Sequence, residues 1–277
     1  MSVSAARCVA RAMERIAPLS LAEKWDNVGL LLEAPHPPNG PHKVLLTVDL
    51  TTRVAAEALA LPASVIVSYH PPIFRPLSSI TLSSPIQASL LRCAAAGISV
   101  FSPHTSLDCV HGGINDWLAS GLGPSSITFV GKEKENGSGG VGRVANLEHP
   151  VSLTTIVERV KAHLGLQHVQ VATSPYASSS NVRSVAICAG SGGSMLAGST
   201  ADVYWTGEMQ HHEVLAAVAA GRHVILCGHT NTERGYLPML AERLQVELAR
   251  AEGSDAIVAA QMSIHLSSED RHPLEIV

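Results

Sequence analysis

Short, almost uninterrupted apolar runs recur along the first half of the chain, and helix-like segments separate them. Residues 43–49, 64–70 and 97–101 are predicted β-strands, because apolar runs of this kind are typical of strands buried on both faces. Residues 51–60 and 85–96 have helical propensity. The alternation of buried strand and helix predicts a mostly parallel sheet that is covered by helices.

The second half of the chain repeats this theme with its own strands and helices. Residues 182–188, 202–206 and 223–226 are predicted strands, and residues 153–164 and 213–220 are predicted helices. We therefore expect an α/β protein built from two similar lobes.

A change of composition marks the predicted boundary between the lobes. Residues 132–142 are first charged and then rich in glycine and serine, which is typical of a flexible connection. A chain of 277 residues is long enough for two such lobes. We predict a first lobe at residues 1–131 and a second lobe at residues 143–277.

Composition and charge argue against two classes of protein, those that bind nucleic acid and those that span a membrane. Hydrophobic residues make up 46% of the chain, charged residues make up 15%, and the formal net charge is −4. No cluster of lysine and arginine stands out, so the chain lacks the basic surface expected of a nucleic-acid-binding protein. No apolar run approaches the roughly 18 residues that a membrane-spanning helix needs. The low charge is compatible with a homo-oligomer.

The cysteines and the first helix bear on the cellular compartment. The five cysteines are scattered and form no C-x-x-C motif, which predicts reduced core thiols in an intracellular protein. Arg7, Arg11 and Arg15 recur every four residues, as they do in a mitochondrial presequence. Because this segment leads directly into structured-looking sequence, we favour an ordinary first helix and a cytoplasmic protein.

Ionisable side chains gather just beyond the ends of the predicted strands. They are Asp49, His70, His104, Asp108, Glu208, His211, His212, His229 and Glu233. In open α/β sheets, ligands bind outside the carboxyl ends of the strands. Imidazole and carboxylate together suit zinc, iron(II) or manganese(II), and the absence of paired cysteines argues against a closed structural zinc site. The sequence therefore predicts an open site for divalent metal ions.

Each of these residues also has a structural interpretation. Asp49 could cap the helix that follows it, and His70 could hydrogen-bond to backbone in a turn. His229 and Glu233 are four residues apart and would share one face of a helix. Pro238 would kink a helix begun at residue 232, so the pair lies either on a helix or on an ordered turn.

Residues 190–194 form a Gly-Ser-Gly-Gly-Ser loop whose backbone amides could hold an anion. No Gly-Lys-Ser/Thr sequence follows, so the loop is not a P-loop, and a tight turn is the favoured interpretation. A plain nucleotide-binding domain that used this loop would bind nucleotides equally well in the presence of a chelator.

Six stretches together carry a family resemblance. They are residues 21–30 (LAEKWDNVGL), 68–74 (SYHPPIF), 104–108 (HTSLD), 190–194 (GSGGS), 206–212 (TGEMQHH) and 228–233 (GHTNTE). In this order they resemble the Nif-three-like (YbgI-type) family, whose members are often described as GTP cyclohydrolase I type 2 homologues. The resemblance implies two similar α/β lobes without an inserted middle domain, a hexameric ring, and a dinuclear metal centre between the lobes.

Matched position by position, the resemblance implies metal ligands at His70, Asp108, His229 and Glu233. Bacterial members have two adjacent histidines where this chain has Tyr69 followed by His70. This departure removes one ligand. Filling of the second metal site then depends on Tyr69, His104 or water as a substitute ligand.

His104, Glu208 and His212 are the candidate catalytic residues, since an imidazole with a pKa of about 6.5 exchanges protons at neutral pH. The leading hypothesis is a metal-dependent hydrolase that acts on a nucleotide or a related heterocycle. The alternative is a metal-binding scaffold or metal-handling protein that acts through protein partners, including transcription-related factors. Tyr69 bears on this choice, because the loss of a ligand matters more to catalysis than to scaffolding.

Overall fold

The computed structural model describes residues 4–38, 40–134 and 137–277, and the chain forms two compact units. The first unit contains Met1–Leu107 and Tyr236–Arg271, and the second contains Asp108–Gly235 and His272–Val277. The segment 236–271 therefore belongs to the first unit, whereas the sequence pattern assigned it to the second lobe. Residues 135 and 136 of the predicted boundary lie outside the described residues.

The regular elements are numbered along the chain. The strands are β1 (Gly29–Leu32), β2 (His42–Thr47), β3 (Val65–Ser68), β4 (Ser99–Ser102), β5 (Ser125–Thr128), β6 (Arg143–Ser152), β7 (Gln170–Ala172), β8 (Asn181–Ser191), β9 (Val203–Glu208), β10 (His223–Leu226) and β11 (Met262–Leu266). The α-helices are α1 (Ala5–Ile16), α2 (Thr52–Ala60), α3 (Pro85–Ala95), α4 (His104–Cys109), α5 (Ile114–Ser120), α6 (Leu153–Leu164), α7 (Gly193–Leu196), α8 (His211–Ala219), α9 (Leu237–Ala249) and α10 (Gly253–Ala259).

The sheet of the first unit has five strands in the order β1-β4-β3-β2-β11. Strands β11, β2, β3 and β4 run parallel to one another, and β1 pairs antiparallel with β4. The apolar side chains of α2 and α3 pack with Leu45, Ile66 and Val100 of the central strands. Helices α1 and α9 contact each other and the same sheet. The predicted helix-covered, mostly parallel sheet is confirmed in this unit.

Helix α1 is an integral part of the first unit. Most of its apolar side chains are buried, and Val9, Ala12 and Met13 have no exposed surface. Its arginines form ion pairs within the same unit: Arg7 with Glu33 at 2.8 Å, Arg11 with Asp255 at 2.5 Å, and Arg15 with Glu247 at 2.7 Å. The spacing of the arginines is therefore explained by partners in the fold.

The sheet of the second unit has six strands in the order β5-β6-β8-β9-β10-β7. Strands β8, β9 and β10 are parallel, whereas β5, β6 and β7 join the sheet antiparallel. Cys188, Tyr204 and Val224 pack with α7 and α8, and helices α5 and α6 contact β6 and β8. This unit is also α/β, with a parallel centre and antiparallel edges.

One buried arginine, Arg143, holds together several backbone segments that follow Asp108. Arg143 is only 1% exposed, and its guanidinium makes a bidentate pair with Asp116 at 2.7 and 2.8 Å. It also lies 4.5 Å above the ring of Phe129. The same guanidinium donates hydrogen bonds to the carbonyl oxygens of Cys109, Val110, Gly140 and Gly142. A buried charge needs this degree of pairing, so the local backbone is tightly fixed.

All five cysteines are buried and free, which confirms the prediction of unpaired core thiols. Burial raises the pKa of the Cys93 thiol to about 11, so this side chain is neutral and packs as an apolar group. In the part of the chain that the structure describes, no helix is both long and apolar enough to cross a bilayer.

Candidate metal centre

The turn that follows strand β10 holds a histidine between two carboxylates. Gly228 has a left-handed backbone with φ of 83° and starts a 3-10 turn, His229–Thr232. The Nδ1 atom of His229 lies 2.9 Å from Oε1 of Glu208, and its Nε2 lies 3.3 Å from Oε1 of Glu233. The carboxylate of Glu208 accepts the proton on Nδ1 and leaves the Nε2 lone pair facing the second carboxylate. The Nε2 lone pair of His229 and the Oε1 atom of Glu233 are both acceptors, so a cation or a proton is needed between them.

The geometry decides between the two sequence-based interpretations of this segment. His229 and Glu233 lie on a 3-10 turn rather than on one α-helix, and helix α9 begins only at Leu237. Pro238 occupies the first turn of α9, where its missing amide costs no hydrogen bond. The proline therefore starts the helix instead of kinking it.

Two glycines allow the backbone to approach this histidine. A Cβ at Gly190 would lie 2.6 Å from Oε1 of Glu233 and 2.8 Å from Nε2 of His229. A Cβ at Gly207 would lie 2.7 Å from the Cα of His229. Only glycine fits at both places, so the Gly-rich loop borders the space around the imidazole and the carboxylate. Gly190 also has a φ of 63°, in the left-handed region.

The amides of the same loop are used within the protein. The Gly190 amide donates to Oγ1 of Thr232 at 2.8 Å, and the Gly192 amide donates to the carbonyl of Glu208 at 3.3 Å. The following helix, α7, has only four residues. These contacts favour the interpretation of the loop as a tight turn over that of an anion cradle.

Asp108 belongs to the same unit as Glu233, and both carboxylates lie near Cys188. The side chain of Asn115 donates to the carbonyl of Asp108 at 3.1 Å and accepts from the amide of Ala189 at 2.9 Å. Burial raises the pKa of the neighbouring Cys188 thiol, and the carboxylates of Asp108 and Glu233 raise it further. Both carboxylates therefore act on one buried thiol, which stays protonated.

In the first unit, two further histidines are each bound to a carboxylate through Nδ1. His70 lies 2.9 Å from Oδ1 of Asp49, and His104 lies 2.7 Å from Oδ1 of Asp26. The two imidazole rings are near neighbours, with centroids 5.4 Å apart. Tyr69 packs beside them at 4.9 Å from His70 and 5.5 Å from His104. Tyr69 itself is buried, with 2% of its surface exposed.

Asp26 is a functional candidate that the sequence analysis did not single out. Its carboxylate has no solvent exposure and also accepts hydrogen bonds from the amide and hydroxyl of Thr105 at 3.1 and 2.5 Å. Burial alone would raise the pKa of Asp26, but the hydrogen bonds from His104 and Thr105 outweigh it, and the pKa is lowered. The carboxylate is therefore ionised and holds His104 in place. A short polar residue in a loop gave no signal for this long-range contact.

These pairs share the chemistry of metal-binding histidines. A ligating histidine usually donates its second ring nitrogen to a carboxylate, which fixes the tautomer and the ring orientation. His70 in the first unit offers a ring nitrogen as a metal ligand. In the second unit, His229 offers a ring nitrogen and Glu233 a carboxylate oxygen. A mixed set of imidazoles and carboxylates suits zinc, iron or manganese.

Of the predicted catalytic residues, Glu208 and His104 lie in these pairs and His212 does not. Glu208 is exposed and binds Nδ1 of His229. His212 is exposed at the start of helix α8, where its ring lies 5.3 Å from that of His211.

Comparison with known proteins agrees with the observed fold. Residues 4–263 match the family described as Duf34/NIF3 (NGG1p interacting factor 3). The protein NIF3 homolog of Schizosaccharomyces pombe is 46% identical over 271 residues, which cover 95% of each chain. The NGG1-interacting factor 3 of Saccharomyces cerevisiae is 38% identical, over 90% of this chain and 92% of the relative.

Solved structures show the same fold at lower sequence identity. The Bacillus cereus protein related to NIF3 is 21% identical and superposes with a TM-score of 0.82, over 98% of this chain and 99% of that one. Reduced HcgD from Methanocaldococcus jannaschii is 24% identical, with a TM-score of 0.77 over 96% and 99% of the two chains. The resemblance drawn from the six sequence stretches is confirmed, and the chain belongs to the DUF34/NIF3 family.

Proposed function

We propose that this protein binds one or two divalent metal ions, zinc, iron or manganese, through His70, Asp108, His229 and Glu233. The observation that carries the proposal is that Nε2 of His229 faces a carboxylate oxygen of Glu233 at 3.3 Å. Glu233 is only 2% exposed, and a buried carboxylate calls for a cation. The space in front of this pair depends on Gly190, which supports the assignment.

We further propose that the protein is a hydrolase that acts on a nucleotide or a related heterocycle. A divalent ion would supply Lewis acidity and lower the pKa of water. Glu208 keeps the His229 tautomer that presents Nε2, and Asp49 does the same for His70. Asp26 accepts the proton on Nδ1 of His104, so Nε2 of His104 is the atom that would exchange protons with a substrate.

Metal content per subunit tests the first part of the proposal. Protein purified without a His-tag or chelator is analysed by plasma mass spectrometry, beside His229→Ala and Tyr69→His. We expect at least one metal per subunit, a loss of metal in His229→Ala, and a gain in Tyr69→His. His168→Ala removes an exposed histidine from the same unit and serves as the matched control, with unchanged metal content expected.

The absence of metal from the wild-type protein, or a loss that is equal in His168→Ala, would contradict the ligand assignment. The hydrolase part is tested separately, with metal-loaded protein and a panel that includes GTP, other nucleotides, phosphodiesters and amides. We expect turnover that is lost on chelation and in His104→Ala. Metal-loaded protein that turns over none of these substrates would refute the enzymatic part alone.

A second candidate function is a metal-binding scaffold or metal-handling protein that acts through partner proteins. Two observations favour it: a tyrosine stands at position 69, where the bacterial pattern has a ligand, and relatives are named as interacting factors. A scaffold would bind metal without turnover, and Tyr69→His would raise its metal content without creating activity. The resemblance also implies a hexameric ring, which light scattering on the purified protein would test.

A further inference from the structure

Two large aromatic side chains in the first unit are exposed side by side. Trp25 is 61% exposed and Phe74 is 47% exposed, and their ring centroids lie 6.0 Å apart at an interplanar angle of 61°. Single exposed apolar residues are common, but an adjacent pair of exposed aromatic rings is typical of a binding surface. Each ring also has His104 as a neighbour, at 6.0 Å from Trp25 and 6.4 Å from Phe74.

The loops that carry the two aromatic rings are fixed to each other. The side-chain amide of Asn27 donates a hydrogen bond to the carbonyl of Ile73. The carboxylate of Asp26 binds His104 at 2.7 Å, and the Glu23 amide donates to Oγ1 of Thr105 at 2.9 Å. These contacts hold the residues on either side of Trp25 and just before Phe74. A surface held rigid before binding loses little conformational entropy when a ligand arrives.

His104 forms the inner side of this surface and is itself held in an unusual conformation. Its φ is 31°, in the left-handed region that residues other than glycine seldom adopt. Such backbone strain persists where surrounding contacts impose it, and it occurs often at functional sites. The His104 side chain is 14% exposed, and Asp26 occupies only its Nδ1, so Nε2 remains as a hydrogen-bonding atom beside the aromatic pair.

The ring geometry indicates how a ligand would bind. A third ring inserted between two others needs a gap of roughly 7 to 8 Å between parallel faces. Trp25 and Phe74 are closer than this and are tilted, so a planar ligand would stack on the outer face of the pair.

Two cations flank the aromatic pair along the chain. Lys24 precedes Trp25 and Arg75 follows Phe74, and both are exposed. Within the described residues, neither forms an ion pair, in contrast to the arginines of helix α1. Unpaired cations beside stacking rings favour a ligand that carries negative charge next to a planar ring.

We propose that Trp25, Phe74 and His104 bind a planar heteroaromatic ring that bears an anionic group, and that Lys24 and Arg75 bind the anion. As the place where the substrate of the proposed hydrolase would bind, the site rests on the proposed function. The ligand class is a nucleotide or a similarly charged heterocycle.

The test uses the full-length, metal-loaded protein and three probes in isothermal titration calorimetry. Guanosine 5′-monophosphate contains ring and anion, guanosine only the ring, and ribose 5-phosphate only the anion. We expect Trp25→Ala and Phe74→Ala to weaken binding of both ring-containing probes by about 5- to 100-fold. Lys24→Ala and Arg75→Ala should weaken binding of the two probes that carry phosphate and leave guanosine binding unchanged, and added salt should reduce their effect.

Two further variants separate stacking from damage to the fold. Trp25→Phe keeps an aromatic face and should retain most of the affinity. Tyr176→Ala removes an aromatic side chain that is 70% exposed in the second unit and should change nothing. Circular dichroism of each variant reports folding, and light scattering reports the oligomeric state.

Three results would overturn the inference. They are no binding of the monophosphate by the wild type at millimolar concentration, unchanged affinity in Trp25→Ala, and an affinity loss that always accompanies a change of oligomeric state. The last result would make the aromatic pair a contact between copies of the chain. Metal content and turnover are measured on the same samples. Intact ring binding without metal or turnover would therefore refute the proposed function but support the ring site.

Discussion

The Nδ1 atom of His229 lies 2.9 Å from Oε1 of Glu208, so an exposed carboxylate determines which imidazole nitrogen is left to bind a ligand. Loss of such a partner typically weakens metal binding by about 10- to 100-fold. We expect this loss in Glu208→Ala, measured by competition with a chromophoric chelator. Glu148→Ala, which removes an exposed carboxylate elsewhere in the same unit, should bind metal as the wild type does. Equal affinities for the two variants would show that Glu208 does not orient the histidine.

Gly190→Ala should reduce the stability of the protein by more than its backbone angle alone predicts. Gly190 and Gly165 have nearly the same φ, 63° and 66°, but a Cβ at Gly165 would meet nothing within 4 Å. Gly165→Ala should therefore cost only the backbone strain, about 1 to 2 kcal/mol. Gly190→Ala should lower the free energy of unfolding by more than this, as measured by thermal unfolding. It should also weaken metal binding, because the added Cβ displaces Glu233 or His229. Identical losses in both variants would mean that the space beside Gly190 relaxes freely.

Asp26→Asn should reduce stability by about 1 to 3 kcal/mol at neutral pH, since charged hydrogen bonds in a fully buried place are lost. The pKa of Asp26 is lowered in the folded protein, so its contribution is fully present above the unfolded-chain value of about 3.9. The contribution is lost as the pH falls below that value and through the folded pKa. Urea unfolding followed by circular dichroism should show the two proteins converging at acidic pH. A constant difference across the pH range would exclude ionisation of Asp26 as the cause.

Arg143→Ala should destabilise the second unit by about 3 to 5 kcal/mol, because it leaves Asp116 and several buried carbonyls without their donor. Urea unfolding followed by tryptophan fluorescence suits this test, since Trp117 and Trp205 both lie in that unit. Arg250 pairs with Glu247 at the surface of the first unit, with 69% of its side chain exposed. Arg250→Ala should cost less than about 1 kcal/mol. A similar small loss for Arg143→Ala would refute its organising role.

The parts of the fold that the sequence predicts are those in which burial and local pattern agree. Helix α6 spans Leu153–Leu164 as predicted, because its apolar stripe lies between a serine cap and Gly165 in the left-handed region. Strand β10 also has the predicted bounds. The long strand β6 was missed, since it is largely exposed and carries no continuous apolar run.

The candidate site shows the same division between local and long-range information. His70 and His229 are recognisable because a histidine beyond a buried strand is conspicuous in sequence. Their orienting carboxylates lie 21 residues away along the chain, and Asp26 lies 78 residues from His104. Only the folded register of the strands identifies such partners. Asp49 and His70 were both noticed at strand ends, but their pairing was not predicted.

The first unit is assembled from both ends of the chain. Strand β11, Met262–Leu266, pairs with β2 and completes the sheet, and helix α9 contacts α1. During synthesis, the edge of β2 that pairs with β11 therefore stays unpaired until more than two hundred further residues have been made. An open strand edge is a template for wrong pairing, so a chain released early would be prone to aggregate. Strand β2 therefore gains its second neighbour only after residues 262–266 have been synthesised.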